Sequence, residues 1–366
     1  MSDKNIRRRI EIIDIAKCIA IFTVVLGHTS PNSELLRNTP LLTKILYSFH
    51  MPLFFFLSGL SMSPKPLKTR DERHLFFRKT VLTLVIPYLL WALIYSNFSF
   101  PNLGWILYGS WAALGKTGTV TSLWFLSCLF CARILVQGVF SLLSHSRYGS
   151  RRPVYLIPAV ICLVIGALFP DRELGYPWCV DIAFTAACCI LLGVAVRDGV
   201  IKLSVQKAWV LFSLLAASVL FYALLLHRLG DRFVNIMMFK GSYGDPAYAM
   251  AFAVLGGFAV LLVSMLLKRA ADEWLYDVDL KPMIYLGQHT MGVFLLHKPM
   301  LQNIFLPAFH SLLPTGPDLL IRLLAAVVSL VLSFWLCRLV EYYIPELVGI
   351  FSKDIIANPV LSQENK

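Results

Sequence analysis

The first apolar segment of the chain, residues 12–28, carries three ionisable side chains: Asp14, Lys17 and His28. In a helix, eleven steps of about 100° bring His28 to within about 20° of Lys17, roughly 16 Å further along. Asp14 precedes Lys17 by three residues and falls on the same face. A carboxylate, a cation and an imidazole in one row can bind a charged substrate and move a proton. We therefore expect this row to mark a functional site.

The composition indicates that this segment crosses a membrane. The chain has 366 residues, of which 58% are hydrophobic and 15% charged, and its mean hydropathy is +0.70. A soluble protein of this length could not bury so much apolar surface. Because a charge facing lipid costs at least about 2.5–3.5 kcal/mol, the polar face of the helix must turn toward other helices.

About ten windows of apolar residues are long enough to cross a bilayer as helices. They lie near residues 12–30, 41–61, 80–99, 121–144, 153–170, 178–196, 207–227, 247–267, 283–306 and 319–340. The sequence therefore predicts an all-α, polytopic membrane helix bundle of about ten transmembrane helices. We expect one transmembrane domain over residues 1–345 and a short cytoplasmic tail over residues 346–366.

The distribution of the +12 net charge predicts the orientation of the bundle. Basic residues concentrate in the segments on the side of the amino terminus, among them Arg7, Arg8, Arg9, Lys65, Lys68, Arg147, Arg151, Arg152, Arg197, Lys202 and Lys207. By the positive-inside rule both termini are cytoplasmic, and the pattern argues against nucleic-acid binding. The first segment carries Asp14 and Lys17 and has no small-residue cleavage site, so we expect a retained helix rather than a signal peptide.

The eight cysteines lie within the apolar spans or at their edges. Cys128 and Cys131 form a C-x-x-C pair, but no second pair accompanies it. Packing in the core is therefore the favoured interpretation, and no metal site is expected.

Histidines in two other spans are further site candidates. His50 lies in the second window and becomes a candidate if it approaches His28. His289 and His297 lie in the ninth window and differ by eight residues, about 80° around a helix, so they do not share one narrow stripe. His297 is followed by a Lys-Pro pair at residues 298–299, where we expect the helix to break. A water-accessible helix end at that point is an alternative to catalysis.

A basic stretch runs from Lys65 to Lys79, between the second and third windows. As a cytoplasmic loop it would attract anionic lipid headgroups. Alternatively, its arginines would clamp a phosphate, since guanidinium groups bind phosphate in fork geometry. The charges alone leave both interpretations open.

Four other polar or aromatic residues stand out in the spans. Trp124 opens the fourth span. Asp181 opens the sixth, either as a carboxylate stabilised by the helix dipole or as a group facing an outer vestibule. Arg133 and Arg322 lie well inside their spans, and each is expected to have a partner in the bundle.

Together these segments resemble the acyltransferase-3 family of integral membrane O-acyltransferases. The resemblance covers nearly the whole chain and is closest to the branch of fucose 4-O-acetylase-like and exopolysaccharide acetyltransferases. It is carried by the Lys17-x10-His28 pair after Asp14, the Phe49–Gly59 block with His50, Pro87–Trp91, Leu123–Leu126 and the Gly287–His297 helix.

The resemblance implies an enzyme of the bacterial cytoplasmic (inner) membrane that takes an acyl group, usually acetyl from cytoplasmic acetyl-CoA. The acceptor would be a sugar hydroxyl of a surface polysaccharide or a lipid-linked glycan precursor. The partners are then acetyl-CoA, the glycan and the lipid bilayer, with no nucleic acid, and self-association is left open.

The resemblance also implies roles for particular residues. The family motif of a basic residue and a histidine maps onto Lys17 and His28. To these the positions of Asp14 and His50 in the chain, rather than the resemblance, add two further catalytic candidates. The family's arginine pair for the coenzyme maps onto either Arg70 with Arg73 or Arg78 with Lys79. Residues left as acceptor-binding or supporting groups are Trp124, Asp181, His289 and His297.

The resulting hypothesis is acyl transfer from a thioester to an alcohol. His28 would deprotonate the hydroxyl or first accept the acyl group itself. Lys17 would stabilise negative charge, and Asp14 would keep Lys17 charged. The competing hypothesis is a membrane transporter or flippase in which the buried His, Asp and Lys form a polar relay. A third hypothesis, a non-catalytic assembly scaffold, would leave the row of Asp14, Lys17 and His28 unexplained.

Overall fold

The computed structural model is helical and describes residues 11–30, 41–118, 120–144, 151–230, 236–273, 278–352 and 355–356. Within these ranges no β-strand forms, and an isolated β-bridge joins Met237 and Ser242. The α-helices are α1 Glu11–Gly27, α2 Leu41–Ser61, α3 Arg70–Thr80, α4 Ile86–Tyr95, α5 Leu103–Tyr108, α6 Trp111–Gly115, α7 Trp124–Leu143, α8 Leu156–Ala167, α9 Val180–Ser204, α10 Ala208–Leu229, α11 Pro246–Glu273, α12 Lys281–Gln288, α13 Thr290–Met300, α14 Leu306–Leu312 and α15 Asp318–Tyr343.

In the described part of the chain, seven helical stretches are long and apolar enough to cross a membrane. They are Leu41–Ser61, Arg70–Tyr95, Thr121–Leu143, Pro177–Ser204, Ala208–Leu229, Pro246–Glu273 and Asp318–Tyr343. The other three predicted windows contain α1 with 17 residues, the shorter apolar helix Arg152–Ala167, and a segment divided into several helices. The predicted all-α, multi-pass architecture is confirmed.

The third span begins earlier than its hydropathy window. Residues 70–95 form a continuous helix in which a π-helical turn, Val81–Val85, joins α3 to α4. A capping box starts it: the Glu72 N–H donates to Thr69 Oγ1 at 3.1 Å, and the Thr69 N–H donates to Glu72 Oε2 at 3.2 Å. The expectation of a basic loop as far as Lys79 is therefore wrong, because the chain is helical from Arg70.

The ninth window breaks at a different residue from the predicted one. Helix α13 passes through Pro299 and continues into a π-helical turn, Leu301–Phe305. The break lies at His289, whose φ of −110° and ψ of 20° separate α12 from α13. Consequently His297 and Lys298 lie within a helix rather than at a helix end.

The chain divides into two compact units. The first is drawn from Met1–Met62, Leu192–Met238 and Ser242–Val331, and the second from Ser63–Leu191, Phe239–Gly241 and Leu332–Lys366. In the first unit α1 packs against α2, α11, α12 and α13, and Ile15, Ala16, Ala20 and Ile21 are fully buried. Such enclosure is what a helix with charged groups requires in a membrane.

Helices α1 and α12 approach closely at Gly287. A methyl group added there would overlap the backbone carbonyl of Asp14. Only a residue without a side chain allows two helix backbones to come so near. This approach places Gln288, the next residue, beside the Asp14 side chain.

In the second unit, α7 fixes the basic segment. The Gln137 amide donates to the backbone oxygen of Lys65 at 2.9 Å, and the rings of Phe77 on α3 and Phe130 on α7 lie 6.1 Å apart. The segment therefore contacts one helix, α7, both at its first residue and near its last.

Candidate active site

His28 lies immediately after the last residue of α1. Its backbone N–H still donates to Val24 O at 3.0 Å and Val25 O at 3.1 Å, so α1 sets the direction of its half-buried side chain. The ring meets Tyr47 of α2, whose hydroxyl lies 3.3 Å from His28 Nδ1. Gly27 allows this approach, because an added Cβ would lie 3.2 Å from the Tyr47 ring.

His50 follows Tyr47 by one turn of α2, and their ring centroids are 4.8 Å apart. The His50 side chain is buried, with 2% exposed. Its Nδ1–H donates to Leu46 O at 2.7 Å, which leaves Nε2 as the basic nitrogen. The structure thus brings His50 to the same cluster as His28.

His297 reaches this cluster from α13. Its ring centroid lies 5.3 Å from that of His28, with 35° between the ring planes. The side chain is completely buried, so the alternative of a water-accessible helix end does not hold at this residue. Its Nδ1–H donates to Phe294 O at 2.8 Å and Val293 O at 3.1 Å. Its Nε2 has no hydrogen-bond partner among the residues that the structure describes.

Side chains of other residues bind the backbone carbonyls of two of these histidines. The Gln302 amide donates to His28 O at 3.1 Å, and the Ser329 hydroxyl donates to His297 O at 3.2 Å. Lys298 is also buried, with 6% exposed, and with His297 and His50 it acts electrostatically on His28. Several imidazoles, a phenol and an ammonium group in one cluster can perform general acid–base chemistry.

Asp14 and Lys17 form a second polar group. Lys17 Nζ lies 3.6 Å from Asp14 Oδ1, and the Gln288 amide donates to Asp14 Oδ2 at 3.2 Å. Asp14 is buried, with 1% exposed. Since α1 is unbroken between Lys17 and Gly27, Lys17 lies roughly 16 Å along the helix from His28. The predicted row is therefore two separate polar groups at the two ends of α1.

His289 does not share the position of His297. It lies at the break between α12 and α13, eight residues earlier, or about 12 Å of helical rise. Its Nδ1–H donates to Tyr285 O at 2.7 Å, and the two rings are 4.3 Å apart.

The two arginines within spans differ in their contacts. Arg322 has the expected partners: its Nε donates to Asp318 Oδ2 at 2.6 Å, and its Nη1 donates to Ser30 Oγ at 2.8 Å. For Arg133, the buried Nε has no hydrogen-bond partner in the described part of the chain.

The remaining predicted site residues belong to the second unit. Trp124 is the first residue of α7 and is 5% exposed. Asp181 lies in the first turn of α9, and its buried Oδ1 has no hydrogen-bond partner within the described ranges. The basic residues proposed for the coenzyme, all on α3, are Arg70, Arg73, Arg78 and Lys79, of which only Arg78 is partly buried.

Sequence reasoning missed four contributors to these groups. Two of them could have been found from their sequence positions. Tyr47 lies one helical turn before His50, and Lys298 directly follows His297. For Gln288 and Gln302 no sequence pattern indicated that they contact α1. Among the described residues, no group of three or more His, Cys, Asp or Glu side chains is arranged to hold a metal ion.

Comparison with known proteins gives one result that bears on this site. Searches of curated proteins and of solved structures found no significant match. A family model described as an acyltransferase domain matches residues 10–338, which include both polar groups of α1 and the His297 helix. The chain therefore belongs to the acyltransferase-3 family, as its motifs indicated, and is a multi-pass membrane acyltransferase.

Proposed function

We propose that the protein is an O-acetyltransferase of the bacterial inner membrane. It moves an acetyl group from cytoplasmic acetyl-CoA to a sugar hydroxyl of a surface polysaccharide or a lipid-linked glycan precursor. The observation that carries the proposal is the cluster of His28, Tyr47, His50 and His297 in a chain of an acyltransferase family. The donor and acceptor follow from the resemblance to the fucose 4-O-acetylase-like and exopolysaccharide acetyltransferase branch.

His28 is the general base of this reaction. An alcohol is a weak nucleophile at neutral pH, and an imidazole is a suitable base for it. As the hydroxyl oxygen bonds to the thioester carbonyl carbon, its proton passes to His28. The carbon–sulfur bond then breaks, and the thiolate takes that proton from His28. The products are the acetyl ester and coenzyme A.

Lys298 supplies positive charge near the reacting carbonyl. The oxygen of that carbonyl becomes negative during transfer, and a buried ammonium group stabilises it more strongly than one in water. Lys298 is buried within electrostatic reach of His28. Lys17, paired with Asp14 at the other end of α1, contacts the donor nearer the cytoplasm.

The topology expected from the sequence agrees with this division. If about ten spans leave both termini in the cytoplasm, α1 runs outward, and His28, directly after its last residue, lies at its outer end. The acceptor hydroxyl then approaches from outside, and the coenzyme from inside. The arginines of α3 bind the coenzyme's phosphates from the cytoplasmic surface.

The test is acetyl transfer by the purified protein in proteoliposomes that contain membrane glycans, with isotope-labelled acetyl-CoA. Wild-type protein should add the mass of acetyl groups to a glycan, and His28→Ala should lower the rate at least about 100-fold. His310→Gln is the control, because His310 is an exposed residue of α14. Ion-gradient-driven uptake without thioester cleavage would contradict the proposal and support a transporter.

A further inference from the structure

We propose that His297 is a positioning residue for His28, acting as the hydrogen-bond acceptor that holds the His28 ring during proton transfer. The inference rests on the proposed function, in which His28 is the base. The His28 Nε2–H would donate to His297 Nε2, so that Nδ1 of His28 is the nitrogen that takes the proton of the acceptor hydroxyl. This is the arrangement of a base oriented by a third group.

The protonation of His297 follows from its neighbours. Carbonyl oxygens only accept hydrogen bonds, and His297 Nδ1 bonds to the carbonyls of Phe294 and Val293. Nδ1 therefore carries the hydrogen, and Nε2 has a free lone pair. The same contacts fix the ring plane, and Ser329 holds the backbone carbonyl of His297.

The buried Nε2 atom of His297 can accept a hydrogen bond, and we expect it to have a donor during the reaction. A buried nitrogen without a hydrogen bond costs free energy, and such atoms in native proteins are uncommon outside functional sites. The His297 side chain is fully buried, Nε2 has no partner among the described residues, and the ring of His28 lies 5.3 Å away. Catalytic hydrogen bonds often tighten only when substrate binds.

The surroundings of the pair support this direction of bonding. Lys298 on α13, and Tyr47 and His50 on α2, are titratable groups that act on or contact His28. Because two carbonyl oxygens hold the Nδ1–H of His297, the neutral ring can only accept at Nε2. On the other side of His28, Nδ1 meets the Tyr47 hydroxyl at 3.3 Å, where the substrate hydroxyl would bind or relay its proton.

Two substitutions of His297 separate positioning from packing. His297→Gln can place its amide oxygen near the position of Nε2, where it accepts from His28. His297→Asn can place its amide nitrogen near the position of Nδ1, which preserves the bond to the Phe294 carbonyl but leaves nothing facing His28. A purely structural role predicts that Asn is at least as active as Gln.

We expect the reverse order in the proteoliposome assay. His297→Asn should lower kcat by about 100-fold and His297→Gln by about 10-fold, with KM for both substrates unchanged, because the buried ring touches neither substrate. His310→Gln and His310→Asn are the matched controls. Equal kcat for Gln and Asn, or loss through raised KM, would overturn the inference.

A second measurement requires no substrate, so it separates this inference from the proposed function. Diethyl pyrocarbonate acylates an imidazole nitrogen and releases ethanol and carbon dioxide, and peptide mass spectrometry measures the rate at His28. The rate should fall several-fold in His297→Asn and less in His297→Gln. Equal rates in all three proteins refute the pairing of His297 with His28. Absence of acetyl transfer by wild-type protein refutes the proposed function.

Discussion

At the scale of single residues, bonds to the preceding helical turn set the tautomer of three histidines, that is, which ring nitrogen carries the hydrogen. His50, His289 and His297 each direct Nδ1–H to the carbonyl oxygen four residues earlier, at 2.7, 2.7 and 3.1 Å. This local bond leaves Nε2 as the basic nitrogen in all three. His28 differs because it follows the end of α1, and its Nδ1 meets a tyrosine hydroxyl instead. Because His28 lies at a helix end, its Nδ1 can bond a side chain or a substrate instead of a carbonyl of its own helix.

A prediction at this scale concerns the ion pair of Asp14 and Lys17. Lys17→Met removes the positive charge from a buried carboxylate and should destabilise the protein by roughly 2 kcal/mol. Adding Asp14→Asn should restore much of the lost stability, because the new amide oxygen still accepts from Gln288 and no charge remains buried. Thermal unfolding in detergent measures both effects.

The same variants test the role of Lys17 in transfer. If Lys17 contacts the donor, the double variant regains stability but stays slow in acetyl transfer. Full recovery of both stability and rate would make the pair purely structural. Additive losses of stability would contradict the coupling itself.

At the scale of elements, α1 and the broken helix α12–α13 determine which residues meet. Helix α1 contacts α12 near Asp14 and α13 near His28. The interruption at His289 ends α12 and begins α13, with Gln288 of α12 beside Asp14 and His297 of α13 beside His28. One continuous helix would keep the azimuth of these residues fixed relative to each other.

Gly287 should be intolerant of substitution for this reason. Gly287→Ala introduces a methyl group that overlaps the Asp14 carbonyl, so α12 must move away and the Gln288–Asp14 bond is lost. We expect lower thermal stability and slower acetyl transfer. Gly138→Ala on α7 is the control, since an added Cβ meets nothing within 4 Å there. It should be neutral or stabilising by about 0.4–1 kcal/mol. Equal effects of the two substitutions would contradict the packing argument.

The start of α3 provides another prediction for an element. Thr69→Ala removes the side-chain half of the capping box and should cost about 1 kcal/mol of local helix stability. Because α3 carries the arginines proposed for the coenzyme, KM for acetyl-CoA should rise several-fold while kcat changes little. Thr83→Ala is the matched control: the Thr83 hydroxyl donates only to the Lys79 carbonyl within the same helix. An unchanged KM in Thr69→Ala would remove α3 from donor binding.

At the scale of the whole molecule, hydropathy defines a multi-pass protein, and the distribution of basic residues predicts the orientation of its helices. In the first unit, α1 packs against four helices, α2, α11, α12 and α13. This packing shields its charged side chains, Asp14 and Lys17, from lipid. The histidine cluster at the end of α1 and the Asp14–Lys17 pair near its start give this helix two polar ends.

Reporter fusions test the proposed orientation. Alkaline phosphatase, active only outside the cytoplasm, should be inactive when fused after the last residue. A fusion after Gly316, in the connection between α14 and α15, should be active because the proposed orientation places this connection outside. The opposite pattern, or two fusions with equal activity, would contradict cytoplasmic termini with an even number of spans.

The sequence by itself determined the membrane class, the helical content and the residues able to do chemistry, because hydropathy, charge and residue type are properties of each position. It also placed Asp14 and Lys17 together, since a helix makes residues three apart neighbours. Tertiary structure decided the rest. Three features depend on which helices touch and where α12 ends: the closeness of the His28 and His297 rings, 269 positions apart in the chain, the burial of Lys298, and the contact of Gln288 with Asp14. Hydrophobic periodicity carries no record of those helix contacts, because lipid and neighbouring helices bury apolar side chains equally well.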